Sequence, residues 1–212
     1  VALTYTEPVV FFEYMYDIAV EARRRGIGRV MISNGYVNRR PLDELCGVLD
    51  GIKVDLKAFR DEFYRRLCHG RLRPVLDALR RIRQRDVWLE LVILIIPTHN
   101  DDESEIAAMS RWVVQELGPD VPMHFTRYHP TYRLTNLPPT SVRTMERLRR
   151  VALDQGVRYV YLGNVRGHEA EDTYCHSCGH RLIARDGFYV RSNRIRSGRC
   201  PRCRTEIPGI WS

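Results

Sequence analysis

Six short apolar runs alternate with five amphipathic segments along this chain, and that alternation restricts its fold more than any other feature. The strand-like runs fall at residues 2–5, 28–33, 51–56, 87–96, 123–128 and 157–162. Apolar residues at helical spacing fill 7–25, 41–49, 73–85, 101–117 and 141–155, the first stopping at Gly26 and the fourth opening on acidic residues that suit a helix dipole. Strands that alternate with helices build βαβ units around a parallel sheet. The nearly unbroken apolar stretch 91–96 predicts a strand covered on both faces. No Gly-x-Gly-x-x-Gly opens any of these units, so the pattern favours a barrel or partial (β/α) barrel over a Rossmann fold. In barrels the chemistry gathers at the C-terminal ends of the strands.

A chain of 212 residues suits one such domain plus a small appendage. No run reaches the ~18 apolar residues that span a bilayer, and the start lacks the basic region of a secretory signal. A cytoplasmic protein without a membrane partner is expected. The first residue is Val1, which suggests a truncated or processed start. Composition changes after Gly163, and from Gly167 the chain is rich in Cys, Gly, Arg and Ser. The expected division is a barrel over residues 1–167 and a small metal domain over 168–212.

Six cysteines are present, of which Cys46 and Cys68 are isolated. The other four form Cys175-His176-Ser177-Cys178 and Cys200-Pro201-Arg202-Cys203. Each pair lets two thiolates reach one tetrahedral metal from a tight turn, and two such turns close the site. The 21 residues between the pairs slightly exceed the usual ribbon interval, which a longer hairpin absorbs. Gly179 and Gly198 suit the turns. Zinc is expected ahead of a rubredoxin-like iron, and four thiolates make the metal structural. A redox dithiol and a coincidence of two pairs are the other readings.

Net charge is +8, from 34 basic and 26 acidic residues. The arginines are scattered over most helix-like segments, as on solvated faces. Only Lys53 and Lys57 are lysines, four apart on a strictly alternating strand, Lys53-Val54-Asp55-Leu56-Lys57. Val54 and Leu56 are expected to face helices, which leaves Asp55 and Lys57 together on the interior side at the strand's end. There they hold a charged ligand or each other. Polar residues also end other strands: Thr6-Glu7, Ser33-Asn34, His129 after His124-Phe125-Thr126-Arg127-Tyr128, and Gly163-Asn164.

Thr4-Tyr5-Thr6-Glu7-Pro8, Ser33-Asn34-Gly35-Tyr36, Val54-Asp55-Leu56-Lys57, Ile96-Pro97-Thr98-His99-Asn100-Asp101, His124 to Pro130 and Tyr161-Leu162-Gly163-Asn164 occur in that order. Together they resemble the radical S-adenosylmethionine (SAM) enzymes related to pyruvate formate-lyase activating enzyme, and most closely the radical SAM member of the AmmeMemoRadiSam system. The resemblance implies a partial (β/α)6 barrel that uses SAM and a [4Fe-4S] cluster to generate a 5′-deoxyadenosyl radical. It implies a protein or peptide substrate and a reductant such as flavodoxin or ferredoxin. It places Thr6 and Glu7 at the methionine amino group, sets Ser33, Asn34, Asp55, Lys57 and His129 around the SAM pocket, and turns Lys57 toward the carboxylate of SAM. Ile32 stands where the activating enzymes carry an acidic cation ligand, so a bound monovalent cation is not implied.

The family's Cys-x-x-x-Cys-x-x-Cys cluster loop is absent, and Cys46 and Cys68 have neither its spacing nor its place. The resemblance therefore implies a fragment lacking its N-terminal quarter or more, inactive alone, with the cluster ligands outside it. A basic metal-ribbon module that binds nucleic acid is the alternative. Scattered charge and few ribbon aromatics (Phe188, Tyr189, Trp211) count against it. A lysine-dependent barrel enzyme forming a Schiff base at Lys57 is a third reading.

Overall fold

The computed structural model describes residues 1–85 and 87–211. Two compact units divide the chain, Val1–Ile93 and Leu94–Ser212. In the first, β1 (Ala2–Leu3), β2 (Val30–Ser33), β3 (Gly51–Asp55) and β4 (Trp88–Ile95, which ends in the second unit) run parallel. Leu3 lies beside Met31, Ser33 beside Val54, and Asp55 beside Val92. Strand order follows sequence order, β1-β2-β3-β4-β5-β6, in one six-stranded sheet. This is the parallel α/β sheet expected of a partial barrel.

Burial alternates along the strands. Leu89, Leu91, Ile93 and Ile95 of β4 are buried, whereas Glu90 and Val92 are half-buried and Leu94 is 39% exposed. The expectation of a strand covered on both faces is corrected here: an apolar run makes a strand, but β4 buries fully only alternate side chains, and its other face is partly open. On β3 the same alternation buries Val54 and, just past the strand, Leu56, and leaves Lys53, Asp55 and Lys57 half-buried, as the pattern predicts.

The helices of this unit each bury one stripe. A 3-10 turn, Pro8–Phe11, leads into α1 (Phe12–Arg24), which buries Met15, Ala19 and Ala22, so small side chains give close approach. In α2 (Arg39–Cys46) the buried residues are Leu42 and Leu45. A short piece absent from the sequence reading, α3 (Asp61–Phe63), continues into a π turn over Tyr64–Cys68. Next, α4 (Leu72–Arg83) buries Leu72, Val75, Leu79 and Ile82, each removal from water stabilising by about 1.5–3 kcal/mol.

The second unit holds β5 (Met123–Arg127) and β6 (Val160–Gly163), parallel, with Phe125 beside Leu162. In α5 (Glu103–Glu116), Asp102 caps the helix by accepting from the Glu105 N–H at 3.0 Å. In α6 (Val142–Asp154), Ser141 caps in the same way from Thr144 N–H at 3.0 Å. The change of composition near residue 168 falls at a 3-10 turn, Glu169–Glu171, capped by His168. Beyond it, β7 (Thr173–Tyr174), β8 (Arg181–Asp186) and β9 (Tyr189–Asn193) form a small antiparallel sheet. Among the described residues no helix is long and apolar enough to cross a membrane.

Candidate functional site: a four-thiol centre and a polar strand-end rim

The two C-x-x-C turns are built alike. In the first, Cys175 N–H donates to the His180 carbonyl and Gly179 N–H to the Cys175 carbonyl, both at 2.9 Å. In the second, Cys200 N–H donates to the Thr205 carbonyl and Arg204 N–H to the Cys200 carbonyl, again at 2.9 Å. The β8–β9 hairpin takes up the long interval between them. Cys175 Sγ lies 3.5 Å from Cys203 Sγ and Cys178 Sγ 3.7 Å from Cys200 Sγ, and all four sulfurs fall within 4.8 Å of one another. Tetrahedral zinc with Zn–S near 2.3 Å requires sulfurs roughly 3.8 Å apart. The donor set fits.

Electrostatics agree with the geometry. Thr205, whose hydroxyl lies 3.2 Å from Cys203 Sγ, holds the Cys203 thiol down at about 6. The His180 backbone N–H pulls on Cys178 in the same direction, but burial and its three thiol neighbours prevail and push it up to about 12. A divalent cation at the centre lets all four ionise together. Around it, Cys175, Leu182, Ile183, Cys200 and Ile207 form the ribbon's core, too small to stabilise it without the metal. Polar contacts tie this region to β6: Tyr159 Oη lies 2.8 Å from His176 Nδ1, Tyr161 Oη lies 3.0 Å from Thr173 Oγ1, and the Arg185 guanidinium sits 5.6 Å over the Tyr161 ring.

The second cluster lies in the first unit, at the C-terminal ends of β1, β2 and β3. Glu7, four residues past β1, points its carboxylate at the end of β2. Its Oε1 accepts from Ser33 Oγ at 2.7 Å and from Val9 N–H at 3.3 Å, and its Oε2 accepts from Asn34 N–H at 2.8 Å. The turn continues through Gly35, whose N–H donates to Ser33 Oγ at 3.1 Å. Gly35 has φ +72°, and a Cβ there meets Val54 Cγ1 at 2.7 Å, so only glycine lets β2 turn this close to β3. Thr6 is exposed beside Glu7.

On β3, Lys57 Nζ donates to Asp55 Oδ2 at 2.9 Å, the two side chains being 39% and 35% exposed. The Lys57 N–H donates to Tyr64 Oη at 3.1 Å. Burial pushes the Tyr64 phenol up, so it stays a neutral hydroxyl. Tyr64 belongs to the π turn, and no sequence signal in that eight-residue piece announces its role. His129 belongs to the second unit, where it is exposed two residues past β5 and its carbonyl accepts from Thr131 Oγ1 at 3.1 Å. His124 stacks on Tyr161 at 5.0 Å. Asn100, given no role from the sequence, is buried, and its side chain ties off β4 by accepting from Ile96 N–H at 2.7 Å and donating to the Leu94 carbonyl at 2.8 Å.

No family model matches the chain. Uncharacterized protein MJ0808 of Methanocaldococcus jannaschii is 41% identical over 209 residues, which cover 98% of this chain and 62% of that protein. The chain thus spans less than two thirds of this relative. Among solved structures, a domain of pyruvate-formate lyase-activating enzyme from Bacteroides vulgatus aligns with a TM-score of 0.69 and 19% identity, over 77% of this chain and 98% of that one. Streptococcus suis SuiB bound to S-adenosylmethionine aligns at 0.61 with 9% identity, over 80% of this chain and 41% of that one. A radical SAM methyltransferase from Sphaerobacter thermophilus aligns at 0.54 with 14% identity, over 74% and 46%. The chain shares its fold with these solved structures. A [4Fe-4S] cluster, in contrast, does not fit the thiols outside the ribbon. Cys46 on α2 and Cys68 at the end of the π turn are two where three are needed, and burial pushes both thiols up.

Proposed function

We propose that this chain is the SAM-binding part of a radical SAM enzyme of the AmmeMemoRadiSam type, with its cluster held by residues outside the chain. The observation that carries this is the Glu7 carboxylate on a radical SAM fold, presented at the strand ends where ligands sit. A carboxylate offers about four lone-pair sites. Val9, Ser33 and Asn34 use three, so one is left by count, and the proposal gives it to a ligand ammonium. The half-exposed Asp55–Lys57 pair is of the kind that contributes only about 0–1 kcal/mol. In the proposed complex Lys57 turns to a ligand carboxylate and Asp55 to a ribose hydroxyl. Thr6 and Asn34 complete the proposed pocket within this unit. Methionyl ammonium and carboxylate are the two groups that this pair of charges suits.

The reaction proposed for the whole protein is one-electron reduction of SAM, from flavodoxin or ferredoxin, with cleavage of the S–C5′ bond to methionine and a 5′-deoxyadenosyl radical that takes hydrogen from a protein or peptide. Within it, this chain's residues bind and orient SAM. The four-thiol centre, with zinc preferred to iron, holds the C-terminal domain from about residue 168 together. A reducing, cytoplasmic setting suits the six free thiols.

The test is anaerobic reconstitution of the full-length protein with iron and sulfide, followed by SAM and dithionite. Formation of 5′-deoxyadenosine is expected. Its absence from a protein shown spectroscopically to carry a [4Fe-4S] cluster would remove the enzyme reading.

A further inference from the structure

The ribbon presents a run of positive charge that the SAM reading does not use. Between Gly187 and Arg204 lie six arginines and no acidic residue: Arg191, Arg194, Arg196, Arg199, Arg202 and Arg204, all exposed. Arg191 pairs with Asp186, and Arg199 Nη2 lies 3.8 Å from Glu206. Among the described residues no carboxylate reaches ion-pair distance of the other four. Backbone bonds fold part of the run into one patch. Arg196 and Arg199 pair with each other across a bridge, and Arg199 Nη1 donates to the Arg204 carbonyl at 3.3 Å.

At the other end of β9 from Arg194, the β8–β9 turn projects two aromatic rings into solvent. Phe188 is 103% exposed and Tyr189 78% exposed, so both rings stand clear of the protein. Trp211 walls a hollow of about 760 Å³ that Arg199 also lines. A bare Phe at a hairpin tip costs solubility unless something covers it, and a nucleobase offers a flat face to either side of such a ring.

We propose that the ribbon binds single-stranded nucleic acid, with the arginines on the phosphates and, along the strand from them, Phe188 and Tyr189 stacked on bases. The choice of a polyphosphate over an acidic polypeptide rests on the exposure of the arginines. Solvated ion pairs with carboxylates contribute little, whereas contacts to a phosphodiester chain gain from release of its condensed counterions. Guanidinium groups also match phosphate oxygens two at a time. The proposal is independent of the SAM reading, since none of these residues lies at the ends of β1, β2 or β3.

Fluorescence anisotropy of the zinc-loaded chain with labelled 20-nucleotide oligo(dT) and oligo(U), titrated from 50 to 300 mM KCl, tests it. Binding with a slope of log K against log[salt] of about −3 is expected if four phosphates are neutralised. Replacing Arg194, Arg196, Arg202 and Arg204 together by Gln is expected to abolish most of that slope. Replacing Phe188 and Tyr189 by Ala is expected to weaken binding about tenfold or more at each salt concentration, with the slope kept. Zinc content of one per chain in each variant keeps a folding defect from imitating these losses. Absence of binding at 50 mM KCl, variants that bind like the parent, or displacement by poly-L-glutamate as effective as by unlabelled oligonucleotide would each overturn the proposal. None of these results bears on SAM binding.

Discussion

The carboxylate of Glu7 accepts a 2.7 Å hydrogen bond from the hydroxyl of Ser33, joining the segment after the first strand to the end of the second across 26 residues of sequence. With the Asn34 N–H at 2.8 Å on its other oxygen, the acid is fixed before any ligand arrives. Such preorganisation spares a ligand the cost of ordering the group that binds it. The same turn depends on Gly35, and the first prediction concerns that residue.

Gly35→Ala is expected to destabilise the chain by about 2–4 kcal/mol, because it adds a left-handed backbone penalty and an over-packing penalty in one place. Gly26 is the control: its φ is +67°, yet a Cβ there meets nothing within 4 Å. Gly26→Ala is expected to cost only about 1–2 kcal/mol. Urea unfolding of the two variants checks this, and equal losses would show that the contact with Val54 does not matter.

Metal removal is expected to unfold the ribbon and spare the barrel. Titration of the thiols with a mercurial should release one zinc per chain, with a change in Trp211 emission and nearly unchanged far-UV circular dichroism. Cys200→Ser should prevent tight binding. Protons compete with the metal for the thiols, so affinity falls as pH falls. Cys178, at about 12 without metal, gives up a proton on binding throughout the neutral range, whereas Cys203, at about 6, is already ionised above that value. A loss of at least about tenfold per pH unit between pH 8 and 7 is therefore expected in a competition titration.

Asp43 on α2 is clamped by Arg81 of α4 through two bonds of 2.6 and 2.8 Å and by Arg85 at 2.9 Å. The Arg81 hydrogen bond first, and Arg85 after it, hold this carboxyl far below the usual carboxylate range. Its folded value lies below the unfolded one, so the stabilisation is present above about pH 4 and is lost as pH falls further. Asp43→Asn should lower the melting temperature at pH 7 and flatten the acid side of the stability curve. A variant whose acid limb matches the parent's would contradict this.

Much of this was readable in the residues because the signals are local or periodic. The alternation of Lys53-Val54-Asp55-Leu56-Lys57 gives the face of each side chain, and the observed burial follows it. The C-x-x-C spacing contains its own geometry. Helix ends at Asp102 and Ser141 carry their caps in the sequence. Other features need three dimensions. Tyr64 fixes the backbone of Lys57 from a π turn too short to show a period, and Glu7 meets Ser33 only through the pairing of β1 with β2. Leu94 reads as core and is exposed, since a run of apolar residues does not say which face is left open. The arginines look scattered along the chain, and only the hairpin shows Phe188 and Tyr189 standing clear in solvent on the ribbon that carries a share of them.

The proposed SAM pocket is tested most directly by calorimetric titration of SAM into the full-length, cluster-loaded protein and into its Glu7→Gln and Lys57→Ala variants. On the proposed reading each variant removes a charge-assisted hydrogen bond to one end of the methionyl group, so each is expected to bind about ten- to a hundredfold more weakly, at about 1.5–3 kcal/mol per bond. Affinity unchanged in both variants would contradict the assignment.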